Sequence, residues 1–159
     1  MPYLRPVSLW RVFRAVDPAV ATDWTVSVPG SATWRVYGVR FDLVADANVA
    51  NRTAQLVADD QTSEIYRIAF DATVTAGLTA RFSAYAGGTR NALLNGAANV
   101  GLPTDGLVLL PGYRLRLVSA GLQAGDQYSA VSLQVQEYPV GPDQEWTPGV
   151  DTLVSTVEG

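Results

Sequence analysis

The stretch Glu64-Ile65-Tyr66-Arg67-Ile68-Ala69-Phe70-Asp71 decides the fold: Tyr66, Ile68 and Phe70 fall on alternate positions, with Arg67 and Ala69 between them. An extended backbone turns successive side chains to opposite faces, so a period of two marks a strand with one buried face. A helix would instead space its apolar residues three and four apart. Residues 78–85 repeat the pattern, Leu78, Ala80, Phe82 and Ala84 alternating with Thr79, Arg81, Ser83 and Tyr85. Further on, Tyr113, Leu115 and Leu117 oppose Arg114 and Arg116, and Val131, Leu133 and Val135 oppose Ser132, Gln134 and Gln136.

Other segments extend the series. Residues 34–44 read as a long strand with Tyr37, Val39, Phe41 and Leu43 on one face and Arg40 and Asp42 on the other. Shorter strands are expected at 24–28, 53–58 and 107–110. Turn chemistry separates them: Pro29-Gly30, Asp46-Ala47-Asn48, Asp59-Asp60, Gly87-Gly88, Pro111-Gly112 and Gly125-Asp126. Proline presets φ and glycine accepts positive φ, while Asp and Asn cap nearby amides. About eight strands at such spacing predict an all-β, antiparallel β-sandwich of jelly-roll type.

Two regions break the period. Leu9, Val12, Phe13 and Val16 follow Ser8 at helical spacing, and the same residues also read as a strand. Residues 89–104, rich in Gly, Asn and Ala, read as a long loop. The expected organisation is therefore an N-terminal arm over 1–30 with a short helix or strand, a sandwich domain over 31–138 and an extended C-terminal arm over 139–159. Pro2, Pro6, Pro18 and Pro29 space the first arm, and Pro139, Pro142 and Pro148 the second. Trp10, Trp24 and Trp146 sit between these prolines, and each needs an apolar pocket from its own domain or a neighbouring subunit.

Composition narrows the function. The 159 residues are 48% hydrophobic and only 16% charged, against roughly 25% charged in an average soluble domain. Either a partner covers part of the surface, or Ser, Thr, Asn and Gln do the solvating. Formal net charge is −4 with no basic run, so the footprint of a nucleic-acid binder is missing. All 11 basic residues are Arg; guanidinium forks suit interfaces, although the codon usage of a GC-rich genome accounts for the bias more simply. No stretch is apolar enough to span a membrane and no secretion signal is seen, so a protein kept in solution is expected. Cysteine and histidine are both absent, which removes disulfides, thiolate metal sites and the commonest general base.

Little chemistry remains. Asp59, Asp60 and Glu64 flank one turn and Asp42 and Asp46 another, where capping explains an acid at least as well as acid–base catalysis. A calcium site at Asp46-Ala47-Asn48 lacks clustered oxygen ligands. Nucleophilic catalysis lacks a His or Lys partner, and Ala86-Gly87-Gly88-Thr89 lacks the lysine of a phosphate loop. Asn51-Arg52-Thr53 matches a glycosylation acceptor by chance. The expectation is a non-enzyme without cofactor or metal. Tyr85, Tyr128, Tyr138 and Trp34 are expected opposite the apolar stripes or at strand ends, as sugar platforms or subunit contacts. Arg40, Arg67, Arg81, Arg114 and Arg116 point outward; with Trp10, Tyr138 and Trp146 they form the expected interface set, since Arg, Tyr and Trp are enriched at protein contacts. A solvated sheet face is the plain alternative.

The stretch Leu109-Leu110-Pro111-Gly112-Tyr113-Arg114-Leu115-Arg116-Leu117, followed by Leu122-Gln123-Ala124-Gly125-Asp126-Gln127-Tyr128-Ser129, resembles the closing strands of jelly-roll virion proteins of tailed bacteriophages. The hairpin over 39–68, bending at Asn48-Val49-Ala50-Asn51-Arg52, is similar to theirs. The likeness covers roughly residues 33–138 and carries no catalytic or binding motif. It implies a capsid decoration (cement) protein that bridges major capsid subunits, with the major capsid protein or other virion proteins and further copies of itself as partners. It also implies location in the virion after synthesis in the host cytoplasm. A head–tail connector component, or a carbohydrate- or receptor-binding module of a tail or fibre, is the rival expectation.

Overall fold

The structure is a computed structural model that describes residues 8–89, 91–93, 97–140, 144–146 and 153–155, with side chains over 8–89 and 98–140. The alternating segments pair into two sheets. The larger runs β1 (Leu9–Arg14), β11 (Gln127–Pro139), β3 (Ala32–Val44), β6 (Thr79–Ala86), β8 (Ala97–Leu102), β7 (Asn91–Leu93), with β9 (Leu107–Leu109) also on β3. The smaller runs β2 (Trp24–Ser27), β10 (Arg114–Ala120), β4 (Arg52–Asp59), β5 (Glu64–Val74). Outside both, β12 (Gln144–Trp146) and β13 (Leu153–Ser155) pair with each other.

The all-β sandwich expected from the period-two runs is present, and no helix occurs among the described residues. Several details differ. More strands form than the eight or so expected. One pair, β6 with β8, is parallel, because β7 takes up the return of the chain as a short antiparallel neighbour of β8. The segment expected as a loop over 89–104 therefore contains both strands. The ambiguous N-terminal stretch is a strand, since β11 offers it a full antiparallel ladder from Leu9↔Glu137 to Arg14↔Ser132. Residues 9–14 and 24–27 place one strand in each sheet, so this part of the expected arm is woven into the sandwich. Apart from the β12–β13 pair, most of the expected C-terminal arm lies outside the described residues.

Aromatic side chains join the layers. Phe41 of β3 stacks on Phe82 of β6 at 5.0 Å and meets Phe70 of β5, from the opposite sheet, edge-on at 5.3 Å. Tyr128 of β11 completes the cluster at 5.6 Å from Phe41. Around it Leu43, Leu56, Leu109, Leu115, Leu117 and Leu133 are fully buried.

The β3–β11 ladder carries two bulges, and each reverses which residues face the core. Gln134 pairs with Gly38 but Val135 with Val36, leaving Tyr37 as the extra residue. Trp34 and Val36 point inward before it, Val39, Phe41 and Leu43 after it. Tyr37 itself turns outward, against the expectation that it shares the face of Val39. On β11 the shift lies between Ser129 and Ser132, where Ala130 adopts a φ of 52°. It brings Tyr128 inward together with Val131, Leu133 and Val135. An extra residue on one strand costs the alternation one step, which is why Trp34 and Tyr128, expected on the outer faces, are buried.

Candidate functional site

Strand β1 forms one edge of the larger sheet, and β2 forms the adjacent edge of the smaller one. Between them opens a cleft of about 600 Å³ lined by Trp10, Phe13, Ser27, Pro29, Trp34 and Glu137, among others. Phe13 lies 5.5 Å from Trp34 and half-closes the core at this side. Glu137 is the polar centre of the cleft: one carboxylate oxygen accepts the Trp34 indole N–H at 2.9 Å, and the other meets Arg11 at 3.0 Å. Both oxygens are thus engaged, and the carboxylate braces the wall of the cleft.

On the outward side of β1, Trp10 packs on Tyr37, ring centroids 4.8 Å apart. The Tyr37 hydroxyl donates to Gln136 Oε1 at 3.3 Å, and Gln136 donates to Ser8 Oγ at 2.8 Å. Trp10 nevertheless remains 58% exposed, Leu9 48% and Val12 77%. Continuing along the chain, Val16 and Val20 are exposed too. A run of apolar side chains left in water along one edge is the kind of surface that proteins ordinarily cover.

The outer face of the larger sheet adjoins this edge. Its transverse row reads Val12, Gln134, Gly38, Tyr85, Gly101 across β1, β11, β3, β6 and β8. Gly38 supplies no side chain, and a hollow of about 210 Å³ opens there, walled by Val12, Arg40, Tyr85 and Gln134. A Cβ at Gly38 would meet only ordinary contacts, the nearest at 3.5 Å, so internal packing does not demand the glycine. Arg81, two rows along the same face, holds Asp42 at 3.1 Å.

The expected interface set divides between opposite faces. Trp10, Arg40 and Arg81 belong to the larger sheet. Tyr138, near the end of β11, is half-buried with the Arg35 guanidinium 5.9 Å above its ring. Arg67, Arg114 and Arg116 lie on the smaller sheet and are engaged internally. Asp59 receives Arg114 Nε at 2.6 Å and Arg116 Nη1 at 3.4 Å. Burial pushes the Asp59 carboxyl up, but these bonds and the Gln61 amide more than offset it and hold it below the ordinary value. Arg67 grips Glu64 with a two-bond fork and also reaches Gln55; the fork holds the Glu64 carboxyl below its usual range. Val57, buried on this outer face, sits in register between Arg116 and Arg67. The side chain of Trp146 lies outside the described residues.

Asp59 and Asp60 cap their turn, accepting the amides of Gln61, and of Thr62 and Ser63. Asp46 does the same for Asn48 at 2.9 Å. It also belongs to a buried polar cluster that the sequence did not announce. Arg52, fully buried, donates through Nε and Nη2 to the two oxygens of fully buried Asp126, at 2.8 and 3.0 Å, and through Nη2 to Asp46 at 2.7 Å. Its Nη1 donates to the Ala50 carbonyl at 2.8 Å. Asp126 further accepts the amides of Asp46 and Gln123. Burial pushes its carboxyl up, but the Arg52 fork and these amides win, so it is held below the ordinary value. Backbone bonds bring in Ala21 (to Asp126 O) and Gly77 (to Asp46 O). The guanidinium thus ties two chain connections together directly, β3–β4 and β10–β11, and the backbone bonds of Ala21 and Gly77 attach two more at the same end of the sandwich. The available signal was an Arg on the apolar face of an alternating strand, in phase with Ala54, Leu56 and Ala58.

No family model matches the sequence, and no curated protein matches it.

Proposed function

We propose that the chain is a structural protein of a tailed-phage virion, a jelly-roll capsid decoration protein that stabilises the head by bridging major capsid subunits. The observation that carries this reading is the apolar, aromatic surface left in water on one side of the sandwich: Val12 and Tyr85 at the Gly38 hollow, with Leu9 and Trp10 exposed along the adjoining β1 edge. On the smaller sheet the outward arginines Arg67, Arg114 and Arg116 are neutralised by Glu64 and Asp59. A rigid block with one apolar side and one self-satisfied side suits a protein that seats on a shell. The phage-like texture of residues 109–129 supports the same reading, as does a sequence that lacks the His, Cys and Lys most catalytic centres use.

Its test is location. Mass spectrometry of purified particles should find the protein at a copy number proportionate to the capsid shell, and Val12→Asp together with Tyr85→Ser should reduce its occupancy without unfolding it. Absence from particles, or undiminished occupancy of the variant, defeats the reading. A receptor-binding module is the second reading, favoured by one feature: the Trp10–Tyr37 pair bordering a cleft with Arg11 and Glu137. Binding to host envelope polysaccharide lost on Trp10→Ala would select it.

A further inference from the structure

The outer edge of β1 is unpaired among the described residues, and the alternation of its ladder says which groups that edge presents. Ala15 N–H donates to Val131 O at 2.8 Å, so the odd positions of β1 direct their peptide groups toward β11. In an antiparallel ladder the intervening residues direct theirs the other way. Trp10, Val12 and Arg14 therefore offer both N–H and C=O to whatever lies beside the edge. Their side chains lie on the outer face, where they pair across the ladder with Gln136, Gln134 and Ser132.

We infer that this edge is a self-association site, at which β1 of a second copy pairs antiparallel with a two-fold axis through Val12. Charge selects the register. Two-fold pairing of a strand with itself must place a residue of the strand on the axis, because opposite residues share a face. An axis at Arg11 sets two guanidinium groups opposite each other. An axis at Phe13 opposes Val12 to Arg14 and moves Trp10 beyond the strand of the other copy. An axis at Val12 puts Val12 against Val12, and Trp10 of each copy opposite Arg14 of the other, a cation over an aromatic face. On the cleft side the same register opposes Arg11 to Phe13. No like charges meet, and each outward peptide group of Trp10, Val12 and Arg14 finds its complement. The two arginines that would keep a foreign strand off an exposed edge become, in this register, the groups that admit an identical one.

The inference does not rest on the virion reading, since it concerns only this strand and its copy. A contact built on one short strand stands at the small end of specific interfaces, below about 1,200 Å², so association in the micromolar range is expected. Sedimentation velocity of the full chain from about 1 to about 500 µM should show a monomer–dimer equilibrium. Val12→Pro removes only an outward N–H, and leaves the bonds to β11 in place. It should weaken the dimer by roughly tenfold or more while the circular dichroism spectrum is unchanged. Because the chain has no cysteine, single-cysteine variants report the register directly. Val12→Cys should form a disulfide dimer under mild oxidation well ahead of Arg11→Cys or Phe13→Cys, whose own copies lie off the axis. A chain that stays monomeric throughout, a Val12→Pro variant that dimerises as well as the parent, or fastest crosslinking at Arg11 would each overturn the inference.

Discussion

Replacing Asp126 by Asn changes almost no volume but strips the charge from the centre of the Arg52 cluster. Each oxygen of Asp126 accepts two N–H groups, Oδ1 from Asp46 and Arg52 Nη2, Oδ2 from Gln123 and Arg52 Nε. An amide must therefore turn its NH₂ toward two donors, leaving both unsatisfied whichever way it is oriented. Asp46 still meets the guanidinium, yet it is shared with Asn48 and Gly125. Removing one member of a buried pair costs about 3–5 kcal/mol, a large part of the roughly 5–15 kcal/mol that holds a domain folded. For a chain of this length the melting midpoint should fall by about 6–20 °C. Thermal denaturation followed by circular dichroism measures it. The parent carries a second signature. The Asp126 carboxyl is held below its unfolded value of about 3.9, so its stabilisation is fully present above that pH and is lost as pH falls through the lower folded-state value. The parent midpoint should drop through the acid range, and the Asn variant should respond less steeply. A loss under about 1 kcal/mol, or parallel acid limbs in the two proteins, would refute the reasoning.

Phe41→Ala should cost about 3–5 kcal/mol, since its ring touches three others across both sheets; chemical denaturation measures it, and the cavity should lower near-ultraviolet dichroism from Tyr128. Gly121 has a φ of +77°, and a Cβ there would stand 2.3 Å from the Asn51 carbonyl oxygen. Gly121→Ala should therefore destabilise by about 1–3 kcal/mol in the same assay. Arg67→Ala, at the exposed Glu64 pair, should leave the midpoint within experimental scatter at physiological salt.

Where the period of two ran unbroken, as through Tyr66, Ile68 and Phe70 or Leu115 and Leu117, the buried face was legible at once. It failed on β3 and β11 because a bulge is an extra residue, and nothing in Val36-Tyr37-Gly38 or Ser129-Ala130-Val131 marks one apart from the change of phase itself. The parallel β6–β8 pair was hidden for a related reason: residues 97–102 are mostly small and give no alternation to read. Among the surface residues, Arg40 and Arg81 were placed outward correctly. That Arg67, Arg114 and Arg116 lie on the opposite face depends on which strands pair, a long-range fact absent from local pattern. Arg52 was overlooked because an arginine beside a turn normally reaches for water, and its partners lie up to 74 residues away.

The guanidinium clasp at the end of the sandwich does a job that small robust β-proteins often give to sulfur. A bond between cysteines needs an oxidant to close and a reductant to open; this one assembles as soon as the loops meet and is indifferent to thiols on either side of a cell envelope. Its vulnerability is to protons instead, so a rise in acidity, with no change in redox conditions, is what loosens that end of the molecule.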